Sequence, residues 1–343
     1  MNTSEISSKY SYFYPNINPI IMEYKTITLV LFFLLALLSC SNSNPNFVIP
    51  VVPIDNMPQP VLTGKMVYHS YSCYNCSDSK LYLYNFSTNE LTLLSQNWTI
   101  TNPMNAHFSP DGTKIVFMGM AKPTLNWDVF IYTLGTNVQP QNLTKNSLAR
   151  DEDPKFSPDG TKIVFKQNGV LKEMDTLGNI LRTFSVPNTE ASMPYYTVDG
   201  NSILYSGSEA NNLATADIIK YSILNNTTQS LAAVPKINEY YPITVDVNTF
   251  LFTQSTTSDQ VYLGYFNGTP SLKLAFNESD SDFSDAFPVN SHTVVLSSTR
   301  AGGRGQYDLY LADEISGKKW SLNIYNPYIN SSNNELGACY SPF

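Results

Sequence analysis

Charge is scarce in this chain: 14% of its 343 residues are Asp, Glu, Lys or Arg, against about 25% in an ordinary globular domain. The 20 basic and 28 acidic residues leave a formal net charge of -8, and no Lys/Arg stripe gathers the basic ones. Nucleic acid is excluded as a partner, because phosphate neutralisation needs such a stripe. Histidine is scarcer still, with three residues, at positions 69, 107 and 292. Register puts the first at the end of a strand, the second beside a strand's leading aromatic and the third in a tight turn. They cannot compose a shared metal site or triad. The chain also lacks G-x-S-x-G, and its longest apolar run, residues 27–38, is twelve residues long, where a spanning helix needs about 20. What it has in quantity is 23 Tyr and 18 Phe, with much Asn, Ser and Thr, a composition that suits strands and turns over helices.

The short apolar run ITLVLFFLLALL follows Lys25 and precedes Ser39 and Cys40, the layout of a signal-peptide core. Residues 37–40, LLSC, resemble a bacterial lipobox, which makes Cys40 the expected lipidation site and mature first residue. Met22 is the expected start, and residues 1–39 are read as overrun plus leader. Residues 40–62 follow as a lipidated cysteine and a tether with five prolines, extended at about 3.1 Å per residue. Acyl chains contribute about 0.8 kcal/mol per buried methylene and would anchor the protein stably. Ser41 in place of an inner-membrane-retaining Asp makes the outer membrane, periplasmic or surface face, the expected location.

Beyond residue 62 the chain repeats itself. FSPDGTKIVF occurs at 108–117 and again at 156–165, followed by YTVDGNSILY from 196, ITVDVNTFLF from 243 and FPVNSHTVVL from 287. The leading residues at 108, 156, 196, 243 and 287 are spaced by 48, 40, 47 and 44, within the roughly 40–50 residue period of propeller blades. Each unit reads as an aromatic-led strand, a tight turn, an apolar strand, a loop and a third strand such as DVFIYTL or DLYLAD. The two ends are complementary. TGKMVY at 63–68 matches a second strand without its first, and ACYSP at 338–342 matches the missing first strand. The expected fold is all-β, a six-bladed propeller over residues 63–343 closed by pairing the C-terminal strand with the first blade, which removes the raw sheet edges.

These units resemble the TolB-type, WD-like propeller repeat, an aromatic followed by SPDG, a β strand and an Asp-led strand. The stretch SSTRAGGRGQYDLYLAD at 297–313 is similar to repeats of lipoproteins and OmpA-linked proteins of the Bacteroidetes. The resemblance implies a scaffold that binds a protein or peptide partner at the cell envelope, monomeric and without enzymatic activity. Val247 replaces the turn glycine of blade five, and Asn290-Ser291 replace Asp-Gly in blade six, so wider turns are expected there. Asp111-Gly112, Asp159-Gly160 and Asp199-Gly200 are turn formers. Phe108, Phe156, Tyr196, Phe287 and Tyr340 are expected to pack between blades.

Enzyme readings find little to stand on. Dipeptidyl-peptidase-type hydrolases pair a related propeller with a G-x-S-x-G domain for which this chain has no room. Propeller lyases of oligogalacturonate use a His-rich metal centre that three histidines cannot supply. Cys73 and Cys76, in CYNC, form the expected local disulfide of an exported protein; a bridge from Cys339 to either is the alternative. Ser77 in place of His excludes a c-type haem. The expected partner-binding face gathers Trp127, Arg150, Asp151, Asp153, Glu239, Tyr240, Asp282, Asp285, Arg300 and Arg304 at an acidic, aromatic-rimmed mouth. No cofactor is expected. Calcium is the one cation that Asp151, Asp153, Asp280, Asp282 and Asp285 would suit as hard oxygen donors, although no EF-hand spacing accompanies them. The competing functional reading is a carbohydrate-binding or carbohydrate-degrading surface lipoprotein.

Overall fold

The computed structural model describes residues 57–121, 125–209 and 212–343; the leader, Cys40 and most of the tether lie outside the described residues. It contains six four-stranded antiparallel sheets. Their inner strands are Asn334–Ser341 in blade one, Thr101–Phe108 in blade two and Asp151–Phe156 in blade three. Glu190–Tyr196, Asn238–Thr244 and Phe283–Pro288 serve blades four to six. Each inner strand lies beside those of the two adjacent blades around the full circuit. The fold is the six-bladed propeller that the repeat implies.

The second strand of each blade explains the stacking. Successive side chains on a strand point to opposite faces, and here both faces are covered by a neighbouring blade. In blade two, Ile115 and Phe117 join a core with Val67, Leu81 and Cys339 of blade one. Val116, between them, joins a core with Phe156, Ile163, Phe165 and Met174 of blade three. The same arrangement recurs at the other four interfaces. Phe108, Phe156 and Tyr196 are buried in these layers, as expected of the repeat's leading aromatics.

Blade one is assembled from both ends of the chain. Its inner strand pairs antiparallel with Lys65–Tyr71, Lys65 opposite Ser341 and Met66 opposite Tyr340. Ala338 packs with Met66, Tyr68 and Tyr84 and with Leu309 and Leu311 of blade six. Closure is thus a backbone ladder and an apolar seam at once.

The turns correct one expectation. In blade two Ser109 Oγ donates to Asp111 Oδ1 at 2.5 Å and accepts from the Lys114 N–H at 2.9 Å, while Asp111 accepts from the Thr113 N–H at 3.1 Å. Blade three repeats this with Ser157, Asp159 and Thr161. In blades five and six the turn is tighter by one residue, not wider. Asp246 Oδ1 accepts from the Asn248 and Thr249 N–H groups at 2.7 and 2.8 Å, and Asn290 Oδ1 from those of His292 and Thr293 at 3.0 and 2.9 Å. The strand position of Phe108, opposite Ile115, is therefore filled by Thr244, opposite Phe250, and Pro288, opposite Val294. A one-residue slip turns a side chain to the other face, so Phe287 lines the central channel while still packing against the cores between blades one and two and between blades six and one.

Two outcomes test this account. Phe165→Ala, at a fully buried site, should cost about 3–5 kcal/mol in denaturant unfolding; a cost under about 1 kcal/mol would contradict the blade-interface core. Deleting residues 334–343 should abolish the cooperative transition, because blade one then exposes an unpaired edge.

Candidate functional site

All six inner strands carry the same irregularity. Each slips register against its second strand at a residue with positive φ: Asn105 (55°), Asp153 (54°), Met193 (53°), Tyr241 (54°), Asp285 (54°) and Gly337 (60°); blade two slips a second time at Asn102 (55°). A left-handed residue with a side chain costs about 1–2 kcal/mol, and a bulge of this kind bends a strand and re-aims its side chains. Only blade one needs glycine, since a Cβ at Gly337 would stand 2.7 Å from His69 Cε1. Behind each bulge comes a small or cyclic residue, Ala106, Pro154, Pro194, Pro242, Ala286 or Ala338. Then follows a second inward-facing ring of His107, Lys155, Tyr195, Ile243, Phe287 and Cys339.

Both rings line a channel cavity of about 70 Å³. A wider mouth of about 240 Å³ opens below it between the SPDG turns. His107, Tyr195, Phe287 and Cys339 border both and form the waist. His107 Nδ1 accepts the Phe156 N–H at 3.3 Å, so its proton sits on Nε2, which donates to Tyr195 Oη at 3.2 Å. Burial, with help from the Lys155 charge, pushes this imidazole down to about 3. Burial also pushes the Cys339 thiol up to about 12. A thiol and an imidazole held neutral in this way make no nucleophilic pair. Asn105 Nδ2 donates to Asp153 Oδ1 at 2.8 Å. Burial raises the Asp285 carboxyl to about 7, against a hydrogen bond from the Gly337 N–H.

The residues expected on one partner-binding face divide into three groups. Asp153 and Asp285 belong to the channel ring. Asp151 and Glu239 are fully buried and occupy the same register position in blades three and five, as Glu335 does in blade one. Each is bound across the strand pair: Asp151 by Gln167 at 2.7 Å, Glu239 by Gln254 at 3.0 Å and Glu335 by Ser70 at 2.9 Å. They stitch inner strand to second strand and are not presented to a ligand. Asp282 is likewise engaged, by Tyr307 Oη at 2.8 Å and the Asp259 N–H at 2.9 Å. Arg304 is held by the Pro327 carbonyl at 2.7 Å. Arg300 pairs with Glu278 at 3.3 Å and lies over Tyr310, and Tyr240 packs edge-on against Tyr241.

Trp127 and Arg150 form the third group, around a contact between loops. Trp127 is 6% exposed, packed on Met104 and Met118 under the guanidinium of Arg150, 5.4 Å from the ring. Arg150 also binds Glu152 at 2.7 Å and the Tyr74 hydroxyl. Tyr74 lies inside the loop closed by the Cys73–Cys76 disulfide, and Cys339 is a free, buried thiol. Beside this contact Asn126 Nδ2 donates to the Ala149 carbonyl, and Leu148 (94% exposed), Leu125 (54%) and Tyr74 (41%) project from it. Repeat register placed Trp127 and Arg150 on this face but gave no sign of Leu125 and Tyr74, because the members of the patch come from loops of blades one, two and three. The carboxylates considered for calcium are dispersed, and among the described residues no three His, Cys, Asp or Glu side chains converge to hold a metal.

No family model and no curated protein matches the chain by sequence. Solved structures match its fold. TolB from Acinetobacter baumannii superposes with TM-score 0.64 at 14% identity, covering 82% of this chain and 67% of that one. A putative TolB from Agrobacterium tumefaciens gives 0.58 at 15%, covering 82% and 99%. Hydrazine synthase from Kuenenia stuttgartiensis gives 0.63 at 13%, covering 82% of this chain and 47% of that one. At such identities the likeness is one of fold, the TolB-type six-bladed propeller, and this fold occurs in an enzyme as well.

The raised carboxyls of Glu239, which burial lifts to about 7, and Asp285 set a pH dependence. The folded state binds their protons more tightly than the unfolded chain, so their contribution is complete below about pH 4 and is lost as pH rises to about 7. Glu239→Gln and Asp285→Asn should each flatten the fall in melting temperature between these limits; parallel curves for variant and parent would refute the assignment.

Proposed function

We propose that this chain is a non-enzymatic lipoprotein of the cell envelope whose propeller binds a protein or peptide partner on the face formed by the blade-one disulfide loop and the loops before blade three. The observation that carries the reading is the exposed patch of Leu125, Leu148 and Tyr74 around Arg150. Isolated apolar side chains on a surface need no explanation, but contiguous ones rimmed by polar groups mark interaction sites. An aromatic and an arginine at the centre of such a patch are the residue types that dominate binding energy. The patch rests on a rigid base, since Trp127 and its methionines pack beneath Arg150 and the disulfide closes the adjoining loop. A prearranged surface of this kind loses little conformational freedom on binding.

The lipobox-like LLSC and the proline-rich tether support an exported, lipid-anchored protein, on the outer membrane by the Ser41 argument. The TolB-type fold supports a scaffold role, and the neutral thiol and imidazole of the channel speak against nucleophilic catalysis.

A photo-crosslinking residue at Leu148, expressed in cells of the source organism, should capture one reproducible envelope protein. Capture should fall at least about tenfold in the Leu125→Asp variant, a loss of about 1.4 kcal/mol, with no change in melting temperature. Failure to capture any protein with a reactive probe on the folded chain, together with binding on a glycan array, would transfer the assignment to carbohydrate.

A further inference from the structure

The channel cavity is lined by two hydrogen-bond donors that the fold leaves partly unused. Lys155 stands in the inward ring, half-buried, and lines the channel cavity. Its ammonium donates to the Pro154 carbonyl at 3.4 Å, and no carboxylate oxygen lies within 4.0 Å of it among the described residues. A half-buried charge with one long hydrogen bond is poorly compensated, so its place in the channel suits an anion. Tyr195, on the next blade, accepts the proton of His107 Nε2. Its own O–H proton has no acceptor among the described residues. Ammonium and phenol stand on adjacent inner strands and line the same channel cavity.

The ring above has the opposite character. Asp153 and Asp285 are acceptors, and both lie close enough to Lys155 to bear on its charge. A simple anion would meet them as repulsion. A group that carries a carboxylate at one end and an N–H donor or ammonium at the other satisfies both layers. The cavity of about 70 Å³ between them has room for several waters and so for a small end group that displaces them.

We propose that the channel cavity is a carboxylate-binding site for a small dipolar end group, with its carboxylate on Lys155 and Tyr195 and its N–H group towards Asp153 and Asp285. Free α-amino acids and the C-terminal residue of a peptide share this chemistry. In its peptide form the proposal rests on the peptide-partner reading above; in its amino-acid form it stands apart from it.

Isothermal titration calorimetry of the full-length chain in detergent separates the cases, with glycine, triglycine and triglycine amide as probes up to about 50 mM. Glycine or triglycine should bind, and the amide should not. Lys155→Met should weaken binding about tenfold or more, as expected for a charged hydrogen bond, and Tyr195→Phe by severalfold. Lys155→Met should also melt no lower than the parent, since it removes a poorly compensated half-buried charge. Binding of triglycine but not glycine would identify a chain terminus as the source, and the reverse a free amino acid, whatever the crosslinking at Leu148 returns. No heat from either carboxylate, equal binding of the amide, or unchanged affinity in both variants would overturn the proposal.

Discussion

Everything in this molecule depends on the pairing of Asn334–Ser341 with Lys65–Tyr71. A stack of sheets has two terminal faces and exposed strand edges, and a ring has neither. The closing pair joins residues more than 260 positions apart, so the whole propeller lies inside the loop it closes. Once docked it brings Cys339 into the core between blades one and two and Ala338 into that between blades six and one. The six apolar layers are thereby mutually dependent, each blade supplying one face to each of its neighbours.

Closure also fixes the channel. Six inner strands on a tight circle leave little room, and the bulge at each left-handed residue turns two side chains per strand towards the axis, with an alanine or proline between them. The backbone device is common to all blades while the side chains differ, so a sixfold frame carries a site with no symmetry. Its lower layer combines imidazole, ammonium, phenol, thiol and two apolar groups, and its upper layer is acidic and amide-bearing. The frame accounts for the positive φ of Met193 and Tyr241 without any functional explanation, because the same conformation recurs at all six positions.

Carboxylates serve two distinct roles here. Asp151, Glu239 and Glu335 are cross-strand partners at one register position, and Asp111, Asp159 and Asp246 hold turns; both sets are part of the fold. Asp153 lies two residues from Asp151, yet it and Asp285 face the channel. In sequence the two kinds are indistinguishable, since LARDED contains one of each.

The amino-acid sequence by itself determined the number of blades, their boundaries and the mode of closure. Turn chemistry and alternating hydrophobicity are local, and the repeat states them again in each blade. It also marked Cys73 and Cys76, three residues apart, as a pair close enough to join. Only the tertiary structure decided that blades five and six turn one residue sooner, because the ungapped repeat hides a shift that strand pairing reveals. It likewise decided that Trp127 supports a surface and does not form it, and that Tyr74 of the disulfide loop meets Arg150. It brought Lys155 and Tyr195 to one channel cavity. These contacts join different blades, and a residue's place relative to another blade follows from how the ring closes, which no local pattern encodes.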